Sequence, residues 1–563
     1  MEHDRIIADH KKDKEASIKF KERRFLQWNE NYSLFRDIVP TNRLTQRQAI
    51  NVPIIRETIK SWISKIDEAP KMSFETKDST IKDKTGELLF NEIYKYYYDK
   101  LKLDILDNVE KKIVGLQGRG FKKIGMSGGE IFIDLIDPYD IEIDPRVNPL
   151  DIQTANFIIH THIFRSLKEI LANPKYNTGA KANLKSYLDA KNGIIKSAID
   201  DQSAQLRKER LETLGVTNFD DYGATDVMVE LNESYKMVWN DKEKMFVRHL
   251  RIIALDSVVL LDVPLKEAIG ILNVPIVTWA SDPDAVDFWS DGIADNVRTF
   301  NKITNMYISQ DLENRTYSNF KMYFFNTMNG TFQPRAFEPK PFGMYGVPGN
   351  PTEIVQQIDI RPLPDISNQI TWLKNMIQSS VAQTPTERGV KEAGEQTLGQ
   401  VQLQLQGSKG MNEVVSKNYR AAWKELGRFF YALMKENSNG TMKISKKGSD
   451  GNYYSKEVSP TDWKCPAGYE VIVEVTADKS MADDFDLKKL QYVKNSFMNN
   501  VTAINIAKKK ELEILDFTAD EIESIMSAEN TQQPLNTMQD APSKVNNPQD
   551  SVMSGNQNNL NGK

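Results

Sequence analysis

Two histidines and five nearby carboxylates are the groups in this chain best suited to hold a metal ion. His160 and His162 lie in the run NFIIHTHIF. In an extended strand, residues two apart share a face, so both imidazoles could reach one ion. Asp134, Asp137, Asp140, Glu142 and Asp144 carry the hard oxygen donors that divalent cations take, and the last three could line one face of a strand. Against that reading, Asp137 and Asp144 each precede a proline and read as turn formers. No carboxylate stands at an obvious ligand spacing from the histidines, so the plainer reading of His160 and His162 is an ordinary solvated strand face. The glycine-rich run GLQGRGFKKIG has no Gly-Lys-[Ser/Thr] ending and no strand–loop–helix frame. It reads as a turn before a β-hairpin, not as a phosphate loop. No G-x-S-x-G, H-E-x-x-H or kinase signature occurs. A single cysteine, Cys465, excludes an internal disulfide and a cysteine zinc site. The expectation is a protein without catalytic residues or cofactor.

The elements around these groups are better defined than the groups themselves. Ile293, Val297, Phe300, Ile303 and Tyr307 recur at three- and four-residue steps, which predicts a helix over about 291–319. Ile366, Ile370, Leu373, Ile377 and Val381 predict another over about 366–384. Between them, 320–364 is dense in aromatics, Pro and Gly and has no helical period. It reads as a small β-rich module with a contact surface at the tip of a helical hairpin. A third helix, 411–435, sets Val415, Tyr419, Ala422, Leu426, Phe429 and Leu433 on one face and Lys417, Arg420, Lys424 and Arg428 on the other. That basic stripe is either a solvated face or a surface toward a polyanion or an acidic neighbour. The segment before it holds five glycines, which lower helix stability by about 1 kcal/mol each relative to alanine. There Gln400, Gln402, Gln404 and Gln406 alternate with Val401, Leu403 and Leu405, a strand pattern in conflict with the neighbouring helix.

The rest is mixed. Residues 1–50 read as a charged helical lead-in with Phe25, Trp28, Tyr32 and Phe35 at helical spacing, and 53–66 as a second helix. MSFET suggests a short strand, and 85–115 is helical. FKKIGMSGGEIFIDLIDPYDIEIDP alternates in strand fashion around Gly128-Gly129. A helix is expected at 166–172 and strands at 226–239, 245–261 and 273–279. The region 440–476 reads as β, with GYEVIVEVTA its clearest strand, and 484–530 as helical. The Asn/Gln/Ser/Pro-rich tail, 531–563, lacks the apolar area to offset its ordering entropy. The class is α+β, a mixed domain interrupted by a long helical hairpin.

Composition is compatible with this. A chain of 563 residues suggests three or four compact units. Hydrophobic and charged contents of 40% and 27% are those of an ordinary folded protein. The net charge of −5 lacks the footprint of a tight DNA binder and does not exclude a protein that surrounds DNA and lets it slide. No signal peptide or membrane span is expected.

In this order the parts resemble a portal protein of the tailed bacteriophages, over roughly 20–530. NVPIIRETIKSWISKIDEAPKMSFE resembles the helix-to-strand entry of that family. IDLIDPYDIEIDPRVNPLDIQTANFIIHTHIFRSLKEI resembles its wing, and FWSDGIADNVRTFNKITNMYISQ its first stem helix. RPLPDISNQITWLKNMIQSSVAQTPTERGVKEAGEQTLGQVQLQLQGSKG resembles the second stem helix running into the tunnel helix and loop. The resemblance implies an N-terminal helical segment at 1–50 and a wing at 51–290 and 413–480. It also implies stem helices at 291–319 and 365–386, a clip at 320–364, a tunnel region at 387–412 and crown helices at 481–530. It further implies a homo-oligomeric, twelve-fold ring at one capsid vertex of the virion, assembled in the host cytoplasm. Double-stranded DNA would pass through the channel, near Arg388, Lys391, Gln400, Gln404 and Lys409. The terminase large subunit, and later head-to-tail adaptor and tail proteins, would dock on the clip, through Phe332, Arg335, Phe337, Phe342 and Tyr345. Major capsid and scaffold proteins are implied partners, and no membrane is involved. Two other readings are kept: a metal-dependent nucleic-acid enzyme built on the 134–144 carboxylates, and a monomeric scaffold whose 320–364 insert binds a partner.

Overall fold

In a computed structural model of the chain, the described residues are 2–38, 50–66, 69–70, 72–77, 81–190, 209, 227–319, 323–325, 350, 355–357, 366–380, 398–438, 440–447, 453–466, 468–473, 487, 490–492, 494 and 501–514. Contacts divide the chain into two compact units, 1–477 and 478–563. The second contains the helix Val501–Ile514, within the stretch expected to be helical, and an ion pair between Lys494 and Glu511.

The first unit opens with α1 (Glu2–Arg36), α2 (Ile54–Ile63), β1 (Met72–Thr76), α3 (Ile81–Lys100) and α4 (Leu103–Gln117). Gly118 ends α4 in the left-handed conformation, φ 86°, where a Cβ would lie 1.8 Å from the Ser290 carbonyl oxygen. The glycine-rich run is thus a helix-to-strand junction. β2 (Arg119–Ser127) and β3 (Glu130–Ile136) then form the expected hairpin. Ser127 faces Glu130, and Gly128 and Gly129 both have positive φ, as a two-residue turn requires.

β4 (Ile141–Ile143), β5 (Phe157–Ser166), β6 (Met228–Asn240), β7 (Met245–Ala254) and β8 (Val258–Pro264) make an antiparallel five-stranded sheet in chain order. The run 245–261, which reads as a single strand, is broken. Leu255 and Asp256 take left-handed backbone, φ 50° and 51°, and fold β8 back on β7. α5 (Leu167–Ala172) starts where expected, with Ser166 Oγ accepting from the Lys168 amide. α6 (Thr178–Ala190) and α7 (Leu265–Ile269) follow the sheet's strands, and β9 (Ile276–Ala280) joins a second sheet in the order β3-β2-β9.

Next come α8 (Ile293–Asn319), the short pair β10 (Tyr323–Phe325) and β11 (Val355–Gln357), and α9 (Ser367–Ser380). α10 (Leu398–Asn437), β12 (Met442–Lys447), β13 (Tyr453–Val458), α11 (Pro460–Trp463) and β14 (Tyr469–Val473) complete the unit. The expected helix at 411–435 is the second part of α10, and the alternating glutamine run is helical backbone. Extending a helix already held by packing costs far less than nucleating one, which offsets Gly399, Gly407 and Gly410.

β1 pairs with β14, Phe74 opposite Val471, so residues some 400 positions apart close one core. That core gathers Trp62, Phe74, Phe90, Trp279, Trp423 and Phe430. Gly427 lets α10 lie against this strand pair, since a Cβ there would sit 2.7 Å from Val471 Cγ1 and 2.9 Å from Met72 Sδ. A second core holds Phe25, Trp28, Tyr139, Tyr235 and Trp289. Helices and antiparallel sheets in this arrangement make the fold α+β at the coarse level.

Candidate functional site

The most distinctive feature of the first unit is the hairpin of α8 and α9. Val297 near the start of α8 and Ile377 near the end of α9 share a small core with Ile54, Ile55 and Ile59 of α2. The two helices are therefore antiparallel. At 1.5 Å per residue, α8 is roughly 40 Å long. β10 and β11 pair antiparallel, Tyr323 opposite Gln357, within the segment between the two helices.

Polar contacts fix the base of α8. The Gly292 amide donates to Asp295 Oδ2 at 2.9 Å, and Asp295 Oδ1 accepts from Asn31 and Arg298. Asn301 and Asn305, one turn apart, accept from the Ile55 and Val52 amides at 3.2 and 2.9 Å. Asn301 thus satisfies a donor in the first turn of α2 that has no partner within the helix, and Asn305 holds the chain just before it. Sequence patterning missed them because it followed only apolar positions. Their spacing of four on the α8 stripe was the available signal.

Away from this packed core the outer faces of the hairpin expose apolar side chains. Met306 and Leu312 on α8, and Trp372 and Met376 on α9, are between 41% and 59% exposed. Of the channel candidates, Gln400, Gln404 and Lys409 fall in the first part of α10, while Arg388 and Lys391 lie outside the described residues. The contact candidates Phe332, Arg335, Phe337, Phe342 and Tyr345 also lie outside them. The basic stripe of α10 is largely engaged within the subunit. Lys424 and Arg428 reach Glu470 Oε1 on β14 at 2.7 and 3.6 Å, and Lys417 pairs with Glu413 one turn away. One carboxylate offsets only one of the two cations it meets, and the stripe remains a solvated, half-exposed face.

Of the carboxylates and histidines that could have shared an ion, only Asp140 and His162 come together, at 3.0 Å, and the others are taken up separately. Glu142 is fully buried against Lys21, at 2.5 Å. Asp144 accepts from the Arg146 amide and from Asn156 Nδ2, and Asp137 caps the Tyr139 amide. Asp134 is exposed on β3. Among the described residues no group of three or more His, Cys, Asp or Glu is placed to hold a metal ion.

The histidines do not occupy a solvated strand face. A bulge interrupts β5 between His160 and Ile163, and His162 sits at its turn with φ 57°. His162 Nδ1 is 3.0 Å from Asp140 Oδ1, and its Nε2 is 3.8 Å from Glu230 Oε1. Burial, then the Lys123 charge, push His160 down to about 4. Burial alone would raise Glu233, but Lys123 Nζ at 2.5 Å outweighs it and holds that carboxyl below its ordinary range. The alternation that made both histidines look outward fails because a bulge shifts the side-chain period by one.

No protein-family model matches the chain, and no curated protein matches it.

Proposed function

We propose that the chain is the portal subunit of a tailed phage, one copy of a ring through which double-stranded DNA is packaged and later ejected. α8 and α9 would be the stem, β10 and β11 the base of the clip, and the first part of α10 the tunnel helix. The sheets with the rest of α10 would form the wing, and Val501–Ile514 would belong to the crown. The terminase large subunit, then adaptor and tail proteins, would dock on the clip, and capsid and scaffold proteins would surround the ring.

The observation that carries this reading is the α8–α9 hairpin. Two long helices leave a mixed α/β body and are closed by a strand pair. They expose Met306, Leu312, Trp372 and Met376. A close-packed ring would bury such a surface between copies. The assembly state of the purified chain tests the proposal, with a closed ring as the expected result.

A further inference from the structure

α1 buries one stripe along its length, and in its first two thirds that stripe is polar. Ile6, His10, Lys14, Ser17 and Lys21 follow one another at steps of four, four, three and four, and all five are buried. His10 Nε2 lies 3.0 Å from Asp256 Oδ1, and Lys14 Nζ 3.1 Å from Asp256 Oδ2. Asn232 Nδ2 donates to the same carboxylate at 2.5 Å. Burial alone would raise the Asp256 carboxyl, but the His10 hydrogen bond and the Lys14 charge outweigh it and hold it well below its ordinary range.

Further along, α1 does the work of a neighbouring strand. β4 is the edge of the five-stranded sheet. Ser17 Oγ accepts from the Ile143 amide at 2.7 Å, and Lys21 Nζ donates to the Ile141 carbonyl at 2.9 Å. Those backbone groups face away from β5 and would otherwise form an open edge. Lys21 also reaches the Pro138 and Tyr139 carbonyls and Glu142.

The apolar hold on this part of α1 is slight: Ile6 and Ile7 meet Ile253 and Val259, and Phe20 is half-buried against the second core. From Phe25 onward it changes. Phe25 stacks on Tyr139 at 5.4 Å, and Trp28 meets Trp289 edge-on at 5.5 Å. Polar groups that separate from one another regain water, so opening a polar face returns much of what it breaks, whereas opening an aromatic face returns little.

We propose that residues 2–24 are a releasable clasp. It opens as a unit about the Phe25–Trp28 anchor while the rest of the fold stays intact, and it uncovers the outward edge of β4 at Ile141 and Ile143. Asp256 is its latch. This inference is independent of the ring reading.

Hydrogen–deuterium exchange of the full chain, read by mass spectrometry, tests it. Peptides within 2–24 are expected to exchange at least ~10-fold faster than peptides within 413–437. Asp256→Asn keeps the left-handed turn, which asparagine tolerates. It should speed the 2–24 amides a further several-fold and leave 413–437 unchanged. Equal protection of the two segments would overturn the proposal, as would an Asp256→Asn effect that is absent or common to both. If Asp256→Asn does not fold, Lys14→Gln removes one arm of the latch and is read against the same outcomes.

Discussion

α1 and the second part of α10 are both long helices with a single buried stripe, and they are held by opposite means. α10 presents Tyr419, Trp423, Leu426, Phe430 and Met434 to the larger core. α1 presents His10, Lys14, Ser17 and Lys21 to the five-stranded sheet. Even the charges near α10 are covered by its rings. The buried pairs Lys111–Asp107 and Lys122–Glu110 lie beneath Tyr419 and Trp423, with the ammonium groups 4.8 and 4.2 Å from the ring centres. On α1 the charges are themselves the contact. A helix held by apolar area is part of the core. A helix held by directional polar bonds is an attachment whose strength depends on each partner being present.

The largest effect that would sharpen this contrast is on α10. Trp423→Ala removes a fully buried ring and uncovers Lys122, and should cost about 4 kcal/mol in chemical denaturation. A loss of under about 1 kcal/mol would mean that this part of α10 is not core. On α1, Lys21→Met leaves Glu142 buried without its cation and should cost about 3 kcal/mol. The double change Lys21→Met/Glu142→Leu should recover most of that loss. If it does not, the carbonyl contacts of Lys21 outweigh its charge pair, and directional hydrogen bonds more than charge set α1 apart from α10.

The smallest effect concerns Glu425, on the stripe side of α10. Burial, then the Asp151 charge, push its carboxyl up to about 7. Because the folded value lies above the ordinary 4.5, the native state holds the proton more tightly than the unfolded chain. Glu425 therefore supports stability below about pH 4.5, and that support is lost as pH rises through about 7. Glu425→Gln should raise stability at pH 8 by about 1 kcal/mol, allowing for partial exposure, and flatten the profile between the two values. An unchanged profile would show that Glu425 ionises as freely as in the unfolded chain.

How much of this was legible in sequence follows the same contrast. Apolar stripes at helical steps announced α8, α9 and the second part of α10, and strand alternation around Gly128-Gly129 announced the β2–β3 hairpin. α1 was legible as a helix but not as a buried one, because periodicity scales count lysine and histidine as outward-facing. The start of α10 was misleading, since residues 400–406 alternate like a strand but extend a helix held by packing further along. The His160–His162 pair failed for a local reason, a bulge that no residue between them signals. The pairing of β1 with β14 was beyond reach, because strand partners hundreds of residues apart leave no mark in local pattern. Of the hairpin, the helices were readable and the asparagines that seat its base were not.

The assembly state tests the ring reading most directly. Native mass spectrometry of the purified chain, with negative-stain imaging of any large species, should find a closed ring of about a dozen copies around a central hole. A chain that stays monomeric at every concentration reached, leaving Met306, Leu312, Trp372 and Met376 in water, would contradict it.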